Sequence, residues 1–549
     1  MMRSRCLALA LALLAPVALG ACGGSSKGSH GSSHARAQPA TRGATAGRPL
    51  VTINAVQQGE HLQPYRLTIY DLRREGPYVV LDFGIACQVP GGGCDSRFDF
   101  SLPLNRGPSP EVMAGINEPS AVTLVDPATD KEYAVVYDSH ANPQASELPF
   151  QSFNDNSLHL AWVKFPAPPA TTRTLDVVFP SDGPQIPNVP LSNAPAPLPT
   201  KLGPGGTAAT PGKGAQPADS TSTAGMTLPV TNLSTDAGNA AGSDTESSTH
   251  ATITLRTDVL FKFAKSNLTP RAKAILAPLA TKIKSRATGA VQVTGYTDSI
   301  GTDQVNIPLS QARAAAVVAA LTPALPGVTF DTTGLGSSDP VAPNTKPDGS
   351  DNPAGRALNR RVTISFSINA ATPPTPPAPG SVAPSAQAGT ARTVDYTATQ
   401  PGQTNHYRVT VNGLYREGNL AVLKLGVTCS NLPSQGCNAA TDFEGSETVP
   451  PISFAQNWQA QGSGLFSMLG GFYLTDPATA TDYIPVYQSS GDPLSALLST
   501  DMFPGETYPV WVYLTAPPPS TTTVTVSLPG GSPKIGDVPI TPAPSLAAP

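Results

Sequence analysis

Apolar and polar residues alternate along two stretches of the chain that lie about 340 residues apart. Every second residue is apolar in each stretch, as at Leu81, Phe83, Ile85 and Cys87 and again at Leu423, Leu425, Val427 and Cys429. A period of two predicts β-strands with one face in a core, and Asp82 and Lys424 then lie on the opposite face. Strands of this kind, separated by Gly, Pro and Asp turns, predict antiparallel β-sandwiches.

The two stretches belong to an internal repeat. The matching segments are YRLTI and YRVTV at residues 65–69 and 407–411, Arg-Glu-Gly at 74–76 and 416–418, and Asp-Pro-Ala-Thr at 126–129 and 476–479. Trp162 recurs as Trp511, and each is followed by a Pro-rich turn. This order of matches predicts a duplicated all-β domain, copy 1 at residues 49–191 and copy 2 at residues 392–541.

The repeated polar and aromatic residues leave the function of the copies open. The Arg-Glu-Gly motif is explained by a ligand site or, more simply, by a turn between two strands. The Tyr and Trp residues fit core or edge packing better than a sugar-binding platform. Binding and spacing are the two roles that the residues allow.

The middle of the chain has a different pattern, in which helices alternate with strands. Apolar spacing predicts strands at residues 253–263, 290–295 and 362–368 and helices at residues 269–284 and 308–321. This alternation predicts an α/β domain at residues 251–370. The fold class is therefore multidomain, with a central α/β domain between two all-β copies.

Composition predicts that the domains are joined by disordered linkers. The chain of 549 residues contains 60 Pro and 49 Gly, about a fifth of the total. Stretches rich in these residues and in Ala, Ser and Thr predict a tether, two linkers and a tail at residues 22–48, 192–250, 371–391 and 542–549. The net charge is −4 without a long Lys/Arg run, which argues against a nucleic-acid partner.

The N-terminus predicts export. Arg3 and Arg5 precede a nearly continuous apolar run at residues 7–19, too short to span a bilayer and typical of a secretory signal. The run ends in Leu-Gly-Ala-Cys at residues 19–22, which resembles the bacterial lipobox. The resemblance implies that residues 1–21 are removed and that the Cys22 thiol carries a diacylglycerol. An ordinary signal peptide with a chance cysteine is the alternative.

Four further cysteines fall into two local pairs. Three connectivities are possible for four cysteines. Pairing of Cys87 with Cys94 and of Cys429 with Cys437 is favoured, because each pair brackets a turn-like loop. Disulfides of this kind fit an exported protein. The seven His residues are scattered without ligand-like spacing, so no metal site and no cofactor is expected.

The residues of the middle domain resemble the OmpA-like C-terminal domain, the peptidoglycan-associating module of bacterial envelope proteins. The matching segments are VLFKF at residues 259–263 with Leu268, VTGYTDSIG at 293–301, Asn306, LSQARA at 309–314 with Val317, GLG at 334–336, PVAPN at 340–344 and NRRV at 359–362. The resemblance covers about residues 255–368 and implies an α/β sandwich. Lys262 and Lys265 depart from the family pattern, where many members carry acidic residues.

Two residues of this domain stand out on physical grounds as well. Arg313 falls in the apolar stripe of the predicted second helix, formed by Leu309, Ala312, Ala316, Val317, Ala320 and Leu321. A guanidinium in that position needs a carboxylate partner, and Asp298 lies 15 residues earlier. The resemblance implies that Asp298 binds the ammonium and Arg313 the carboxylate of diaminopimelate in the stem peptide. A purely structural buried ion pair is the alternative.

Three neighbouring residues could each have a ligand-binding or a structural role. Asn306 contacts the ligand or caps the second helix. Arg361 contacts the ligand or supports the edge of the sheet. Thr297 donates to the ligand or only shapes the turn.

The sequence argues against catalysis. Asp298 and Ser310 are the candidates for an acid–base group and a nucleophile, but no His follows His250 in the domain and no Gly-x-Ser-x-Gly motif frames a serine. Paired carboxylates and metal ligands for glycan or peptide hydrolysis are not evident either.

The combined prediction is a non-catalytic, exported lipoprotein that links a membrane to the cell wall. Its partners are peptidoglycan and a membrane, in a two-membrane cell the outer one, since Gly23 follows the lipid cysteine where an aspartate marks inner-membrane retention. The main alternative is a surface adhesion protein, in which the β-copies bind a protein or glycan and the central domain only immobilises them. A third is an accessory of a larger envelope complex.

Overall fold

The computed structural model describes most of the chain between residues 49 and 546. The described residues are 49–57, 62–90, 94–95, 121–146, 152–153, 158–179, 183–195, 222–368, 392–400, 402–432, 435–439, 442–443, 466–488, 492–499, 501–529 and 533–546. The predicted signal peptide, Cys22, the tether and the linker at 371–391 lie outside the described residues. In the part that is described, no helix has the length and apolar character needed to cross a membrane.

The described part of copy 1 contains two antiparallel sheets packed face to face and a short antiparallel pair, β4 and β7. Its strands are β1 Val51–Gln57, β2 Gln63–Glu75, β3 Tyr78–Cys87, β4 Cys94–Asp95, β5 Thr123–Asp126, β6 Lys131–Tyr133, β7 Ser152–Phe153, β8 His159–Pro166, β9 Thr174–Val178 and β10 Gln185–Pro190. One sheet has the order β1-β2-β3-β8 and the other contains β10-β9-β5-β6. Leu81 and Phe83 of β3 pack in one core with Leu124 and Val177 of the second sheet. The predicted sandwich is confirmed.

Three short strands follow within the segment that composition predicts to be a linker. They are β11 Val230–Asn232, β12 Thr235–Asn239 and β13 Gly242–Glu246. β11 extends the second sheet of copy 1 by pairing antiparallel with β6. The prediction of a linker over residues 192–250 is therefore wrong for residues 230–246.

The central domain is a mixed sheet covered by helices. Its elements are β14 His250–Arg256, α1 Thr257–Leu260, α2 Pro270–Arg286, β15 Ala287–Gly295, α3 Asp303–Leu321, a 3-10 turn Thr322–Ala324, β16 Phe330–Gly334, α4 Pro353–Asn359 and β17 Arg361–Ile368. The sheet order is β16-β15-β17-β14, in which only β15 and β16 run parallel. Leu276 of α2 and Val317 of α3 pack on Val293 and Ile364 of the sheet. The predicted α/β domain is confirmed.

Several details of this domain differ from the sequence prediction, among them the start of α3 at Asp303 and not at residue 308 and the additional elements β16 and α4. The strand predicted over residues 253–263 ends at Arg256, because the chain turns into α1, which buries Leu260 under α2. The buried side of α3 contains Asn306, Ser310 and Arg313, whereas Ala312 is exposed. The apolar stripe is thus rotated, but Arg313 does lie on the buried side.

Glycine residues explain why a polar part of α3 can lie against the sheet. A Cβ on Gly295 would be 2.1 Å from the carbonyl oxygen of Ser310, and a Cβ on Gly334 would be 2.3 Å from the backbone nitrogen of Gln311. Only glycine permits this approach of the helix backbone to the ends of β15 and β16.

Copy 2 repeats the sandwich of copy 1. Its strands are β18 Arg392–Gln400, β19 Gln403–Glu417, β20 Leu420–Cys429, β21 Cys437–Asn438, β22 Phe466–Met468, β23 Tyr473–Asp476, β24 Thr481–Tyr483, β25 Leu497–Ser499, β26 Asp501–Met502, β27 Thr507–Thr515, β28 Thr523–Ser527, β29 Lys534–Pro539 and β30 Thr541–Pro542. The first sheet has the order β18-β19-β20-β27, and β30 pairs with β19. β30 extends from the last residue of predicted copy 2, Thr541, to the first residue of the predicted tail, Pro542, which is therefore part of a strand.

The duplication extends to irregular details. The β2–β3 ladder shifts register between Ile69 and Asp71, and the β19–β20 ladder shifts at the equivalent residues Val411 and Gly413. The Arg-Glu-Gly motif ends the strand before each turn, with Gly76 and Gly418 at φ near +60°. A left-handed turn residue is the position that glycine fills at least cost.

The arginine of that motif has a structural role in both copies. Arg74 donates to the carbonyls of Pro168, Pro169 and Thr172, and Arg416 donates to those of Pro517, Pro518 and Thr521. Each arginine thus holds the Pro-rich turn of its own copy. The turn interpretation of the motif accounts for all of these contacts.

The two predicted local disulfides are confirmed. Cys87 bonds to Cys94 and Cys429 to Cys437, with Cα atoms 5.8 and 5.7 Å apart. Each bond closes a short loop beside a β-bridge, and all four cysteines are buried.

The copies contact one another directly. Tyr513 donates its hydroxyl to Asp176 of copy 1 at 2.6 Å, and the indole of Trp511 donates to the carbonyl of Gly183 at 2.8 Å. The ammonium of Lys424 donates to the carbonyl of Gln185 at 2.9 Å. Lys424 does lie on the face opposite to the copy 2 core, and that face is covered by copy 1.

The segment predicted as a linker joins all three domains. β11 pairs with β6 of copy 1, and β12 pairs with β24, the equivalent strand of copy 2. β12 and β13 also connect β24 to β14 of the central domain, so one sheet of described strands runs from β16 to β29. The order is β16-β15-β17-β14-β13-β12-β24-β23-β28-β29.

Candidate functional site

The five candidate residues lie around one end of the central sheet. Thr297 and Asp298 follow β15, Asn306 and Arg313 lie on α3, and Arg361 begins β17. The sheet order places β15 beside β17, and α3 packs on β15. The fold therefore brings these residues into one neighbourhood from three separate segments.

Arg313 is buried with only 4% of its surface exposed. Its Nε donates to the carbonyl of Lys265 at 3.1 Å, and its guanidinium lies 5.5 Å from the centre of the Phe261 ring. Among the described residues, its two terminal nitrogens have no hydrogen-bond partner and no carboxylate within 4.0 Å, yet they are not sealed from solvent. The free edge of the guanidinium can therefore accept a bidentate carboxylate.

The electrostatics of Arg313 follow from its position. Burial lowers its pKa, the carboxylates of Asp258 and Asp298 oppose that effect, and Arg360 adds to it. A guanidinium stays protonated under these conditions. The site thus contains a buried, permanent positive charge within range of two acids.

Asp298 does not pair with Arg313. Its Oδ2 accepts from Arg360 Nη1 at 2.7 Å and lies 3.9 Å from Nε of Arg356, and its Oδ1 accepts from the backbone of Ile300 at 3.1 Å. The interpretation of Asp298 and Arg313 as a structural ion pair is wrong, because Arg360 takes the position beside the acid. A carboxylate has about four acceptor sites, so Asp298 can still accept from an ammonium group.

Thr297 and Asn306 make structural contacts within the described residues. The hydroxyl of Thr297 donates to the carbonyl of Asp298 at 3.0 Å. Asn306 Nδ2 donates to the carbonyl of Ile300 at 3.1 Å. Thr302 and not Asn306 is the N-cap of α3, so Asn306 fastens the loop before the helix and does not cap it.

Arg361 is also buried, but its guanidinium is occupied. It donates to the carbonyl and the carboxylate of Asp339 at 3.0 and 3.1 Å, and it lies 3.7 Å from the centre of the Tyr296 ring. These contacts connect β17 to the loop after β16. They favour the supporting role over ligand contact.

Sequence reasoning missed Arg360, which organises the acids of the site. Arg360 donates to both oxygens of Asp258 at 3.0 and 2.6 Å as well as to Asp298. These partners raise the pKa of Arg360, chiefly through the hydrogen bonds to Asp258. Arg356 lies one helical turn earlier and pairs with Asp351. The i, i+4 spacing of the two arginines next to β17 was the signal available in the sequence.

The site offers charges and hydrogen-bonding groups, and no metal ligands. Among the described residues, no group of three or more His, Cys, Asp or Glu side chains is arranged to hold a metal ion. Arg313 and Asp298 instead provide separate positive and negative charges in one site. Such an arrangement suits a zwitterionic ligand.

Comparison with known proteins gives a family match in the central domain and partial likenesses to several proteins. Residues 260–353 match the model of the OmpA family. Similar stretches occur in Outer membrane protein A of Klebsiella aerogenes, with 40% identity over 126 residues, and in Peptidoglycan-binding protein ArfA of Mycobacterium bovis, with 40% identity over 100 residues. A stretch of 108 residues is 41% identical to the Photosystem I P700 chlorophyll a apoprotein A2 of Gloeobacter violaceus.

Each of these likenesses is partial. The likeness to Outer membrane protein A covers 21% of this chain and 35% of that protein. The likeness to ArfA covers 18% and 29%, and that to the photosystem protein covers 20% and 12%, in the same order. The chain therefore spans well under half the length of each.

One solved structure is similar over the same share of the chain. The cell wall anchor of the T6SS from Pseudomonas aeruginosa is 29% identical, with a TM-score of 0.21, over 24% of this chain and 89% of that one. The family match at residues 260–353 lies within the α/β domain and within the resemblance at about residues 255–368, but it ends before Arg361. Residues 260–353 of this chain are thus an OmpA-like domain.

Proposed function

We propose that the central domain binds the stem peptide of peptidoglycan and fastens the protein to the cell wall without catalysis. The observation that carries the proposal is the guanidinium of Arg313, which is buried and has a free edge. A buried guanidinium whose edge has no counter-ion is desolvated without full compensation, and a ligand carboxylate would supply the missing partner. The similarity to ArfA, which is a peptidoglycan-binding protein, supports the same conclusion.

The ligand group proposed for the site is the side-chain end of diaminopimelate. That end has a carboxylate and an ammonium on one carbon atom. The carboxylate would take the two terminal nitrogens of Arg313, and the ammonium would take the free acceptor sites of Asp298. The ammonium and the carboxylate of this end sum to zero charge, and Arg360 is already paired with Asp258 at 2.6 Å, so Arg313 and Asp298 are the charges left for the ligand.

The proposed architecture has a second attachment at the membrane. A diacylglycerol on Cys22 would hold the N-terminus, and residues 23–48 would span the distance to copy 1. Two attachments on one chain would link the membrane to the wall. Growth with radiolabelled palmitate tests the lipid: label in the wild type and none in Cys22→Ala is expected, and label in both would refute lipidation at Cys22.

Wall binding is tested by sedimentation of the full chain, without its signal peptide, with purified peptidoglycan. The wild type should pellet with diaminopimelate-type peptidoglycan and not with lysine-type peptidoglycan, which lacks the side-chain carboxylate. Arg313→Ala should reduce the pelleted fraction at least tenfold. Asp298→Asn keeps the size of the side chain and one of the two accepted hydrogen bonds and removes the charge, and a reduction of three- to tenfold is expected.

Lys284→Ala is the matched control for charge. Lys284 is exposed near the end of α2, just before β15 begins, while the site lies after the other end of β15. The Lys284→Ala variant lacks one positive charge of the same domain and should pellet like the wild type. Equal pelleting of Arg313→Ala, Asp298→Asn and Lys284→Ala would remove the proposed site.

A further inference from the structure

A tight turn at residues 262–265 projects from the central domain next to Arg313. The backbone nitrogen of Lys265 donates to the carbonyl of Lys262 at 3.0 Å, and a β-bridge between Phe261 and Leu268 closes the base of the loop. Ala264 has a φ of +55°, a left-handed conformation that residues with a Cβ adopt at a cost. The turn is therefore a defined structure.

The turn displays an aromatic ring between two cations. Phe263 is 91% exposed, the highest exposure among the large apolar side chains of the described residues. Lys262 and Lys265 are exposed on either side of it, and neither has a carboxylate within 4.0 Å among the residues described. The tip of the turn thus offers an apolar ring and two unpaired positive charges to the outside.

The turn is joined to the proposed ligand site through its backbone. The carbonyl of Lys265 accepts the hydrogen bond from Arg313 Nε, and the ring of Phe261 lies against the same guanidinium. A ligand that occupies the free edge of Arg313 is therefore adjacent to the turn. Its neighbouring groups come within reach of the three exposed side chains.

The chemistry of the turn matches the rest of that ligand. Lysine ammonium groups pair with carboxylates, and an aromatic ring packs on the apolar C–H face of a sugar. The stem peptide has carboxylates besides the one proposed for Arg313, and its first residue is attached to an amino sugar. A membrane surface would meet the same side chains, but it has no group that must enter the guanidinium site.

We propose that the Lys262–Lys265 turn is a second contact for the wall polymer, in which Lys262 and Lys265 bind further stem-peptide carboxylates and Phe263 packs on the sugar. The inference rests on the function proposed above for Arg313. With this second contact, the domain would prefer a stem peptide that is rich in free carboxylates and still attached to its glycan. The contribution of the lysines falls with ionic strength, and that of the ring does not.

The experiment measures peptidoglycan pelleting by the full chain at 50 and 300 mM NaCl. Lys262→Gln/Lys265→Gln should weaken binding five- to tenfold at 50 mM and by less than twofold at 300 mM. Phe263→Ala should weaken it three- to fivefold at both concentrations. Lys284→Gln, with one charge removed at the far end of the domain, should match the wild type. The substituted side chains are exposed, and unchanged melting temperatures verify the fold.

Calorimetry with soluble fragments separates the ring from the charges. Phe263→Ala should lose affinity for a disaccharide-tetrapeptide and keep the wild-type affinity for the free tetrapeptide. The double lysine variant should lose affinity for both. Equal losses of Phe263→Ala on both fragments would overturn the sugar contact.

The outcomes also distinguish this inference from the proposed function. Turn variants that bind like the wild type, with Arg313→Ala inactive, overturn the inference and leave the proposed function standing. An Arg313→Ala variant that binds like the wild type overturns both. A third outcome concerns membranes. The wild type could float with phosphatidylglycerol vesicles while the double lysine variant does not, with wall binding the same in both. That result assigns the turn to a membrane and overturns the inference.

Discussion

Arg313 and Arg361 are alike in domain, burial and aromatic contact, but their hydrogen-bond partners differ. Both lie in the OmpA-like domain, both are at most 4% exposed, and both have an aromatic ring beneath the guanidinium. Arg361 has the carboxylate of Asp339 within hydrogen-bond distance, whereas among the described residues Arg313 has only a backbone carbonyl. Burial of an arginine is therefore no sign of its role.

The difference lies in which groups complete the hydrogen bonds. Removal of one partner from a satisfied buried charge costs stability, because the other groups lose their bonds. A charge that the protein leaves incomplete contributes little to stability and is available for a ligand. We expect the first behaviour at Arg361 and the second at Arg313.

The largest effect on stability is expected for Arg361→Ala. The variant loses two hydrogen bonds to Asp339 and the contact with Tyr296, and the free energy of unfolding should fall by about 3 kcal/mol. Urea unfolding measures this change. Arg408→Ala is the control, since its pair with Asp395 is exposed and should be worth less than about 0.5 kcal/mol. Equal effects of the two variants would break the comparison.

A smaller, pH-dependent effect is expected at Asp236, a buried charge of the opposite sign. Burial and, less strongly, the carboxylate of Asp244 raise the pKa of Asp236 to about 8. Unlike an arginine, this acid can become neutral in the fold. In the unfolded chain it releases its proton near pH 4, so the stability of the protein falls as the pH rises from about 4 through 8.

Asp236→Asn removes this proton linkage. Relative to the wild type, the variant should gain on the order of 2 kcal/mol between pH 6 and pH 8. Urea unfolding of both proteins at the two pH values measures the gain. If the free energy of unfolding changed with pH equally in the two proteins, Asp236 would have an ordinary pKa, and its side chain in β12 would not be buried.

The smallest effect on stability is expected for Arg313→Met. The substitution keeps an unbranched side chain against Phe261 and removes a desolvated charge, so the free energy of unfolding should stay within about 1 kcal/mol of the wild type. Peptidoglycan pelleting should nevertheless be lost. A loss of stability above about 2 kcal/mol would make Arg313 a structural residue like Arg361.

Local patterns predicted much of the fold. The strict alternation at Leu81, Phe83 and Ile85 predicted a strand with an apolar face in the core, because side chains of a strand point to opposite sides in turn. The opposite face of β3, with Asp82, is buried as well, which the alternation did not predict. The short spacing of each cysteine pair predicted the two disulfides. The position of Arg313 among apolar residues predicted its burial, although the buried face of α3 proved to be rotated toward Asn306 and Ser310.

The partners of the site residues could not be predicted in the same way. Asp298 was expected to lie near Arg313, yet Arg360, which is 62 residues away in the chain, donates to its carboxylate. Charge alone does not choose between arginines. The choice depends on how α4 and β17 return to the end of β15, which is a property of the whole sheet.

The sequence by itself determined the repeat, because whole segments recur in the same order. It also determined the α/β nature of the central domain and the two disulfides, because these depend on residues close together in the chain. Only the tertiary structure decided that residues 230–246 are strands. This segment is rich in Thr, Ser, Gly and Asp and has no apolar period, so nothing local favours an extended ladder. Its backbone instead completes the free edges of β6, β24 and β14, and unpaired edges of this kind exist only once the three domains have folded.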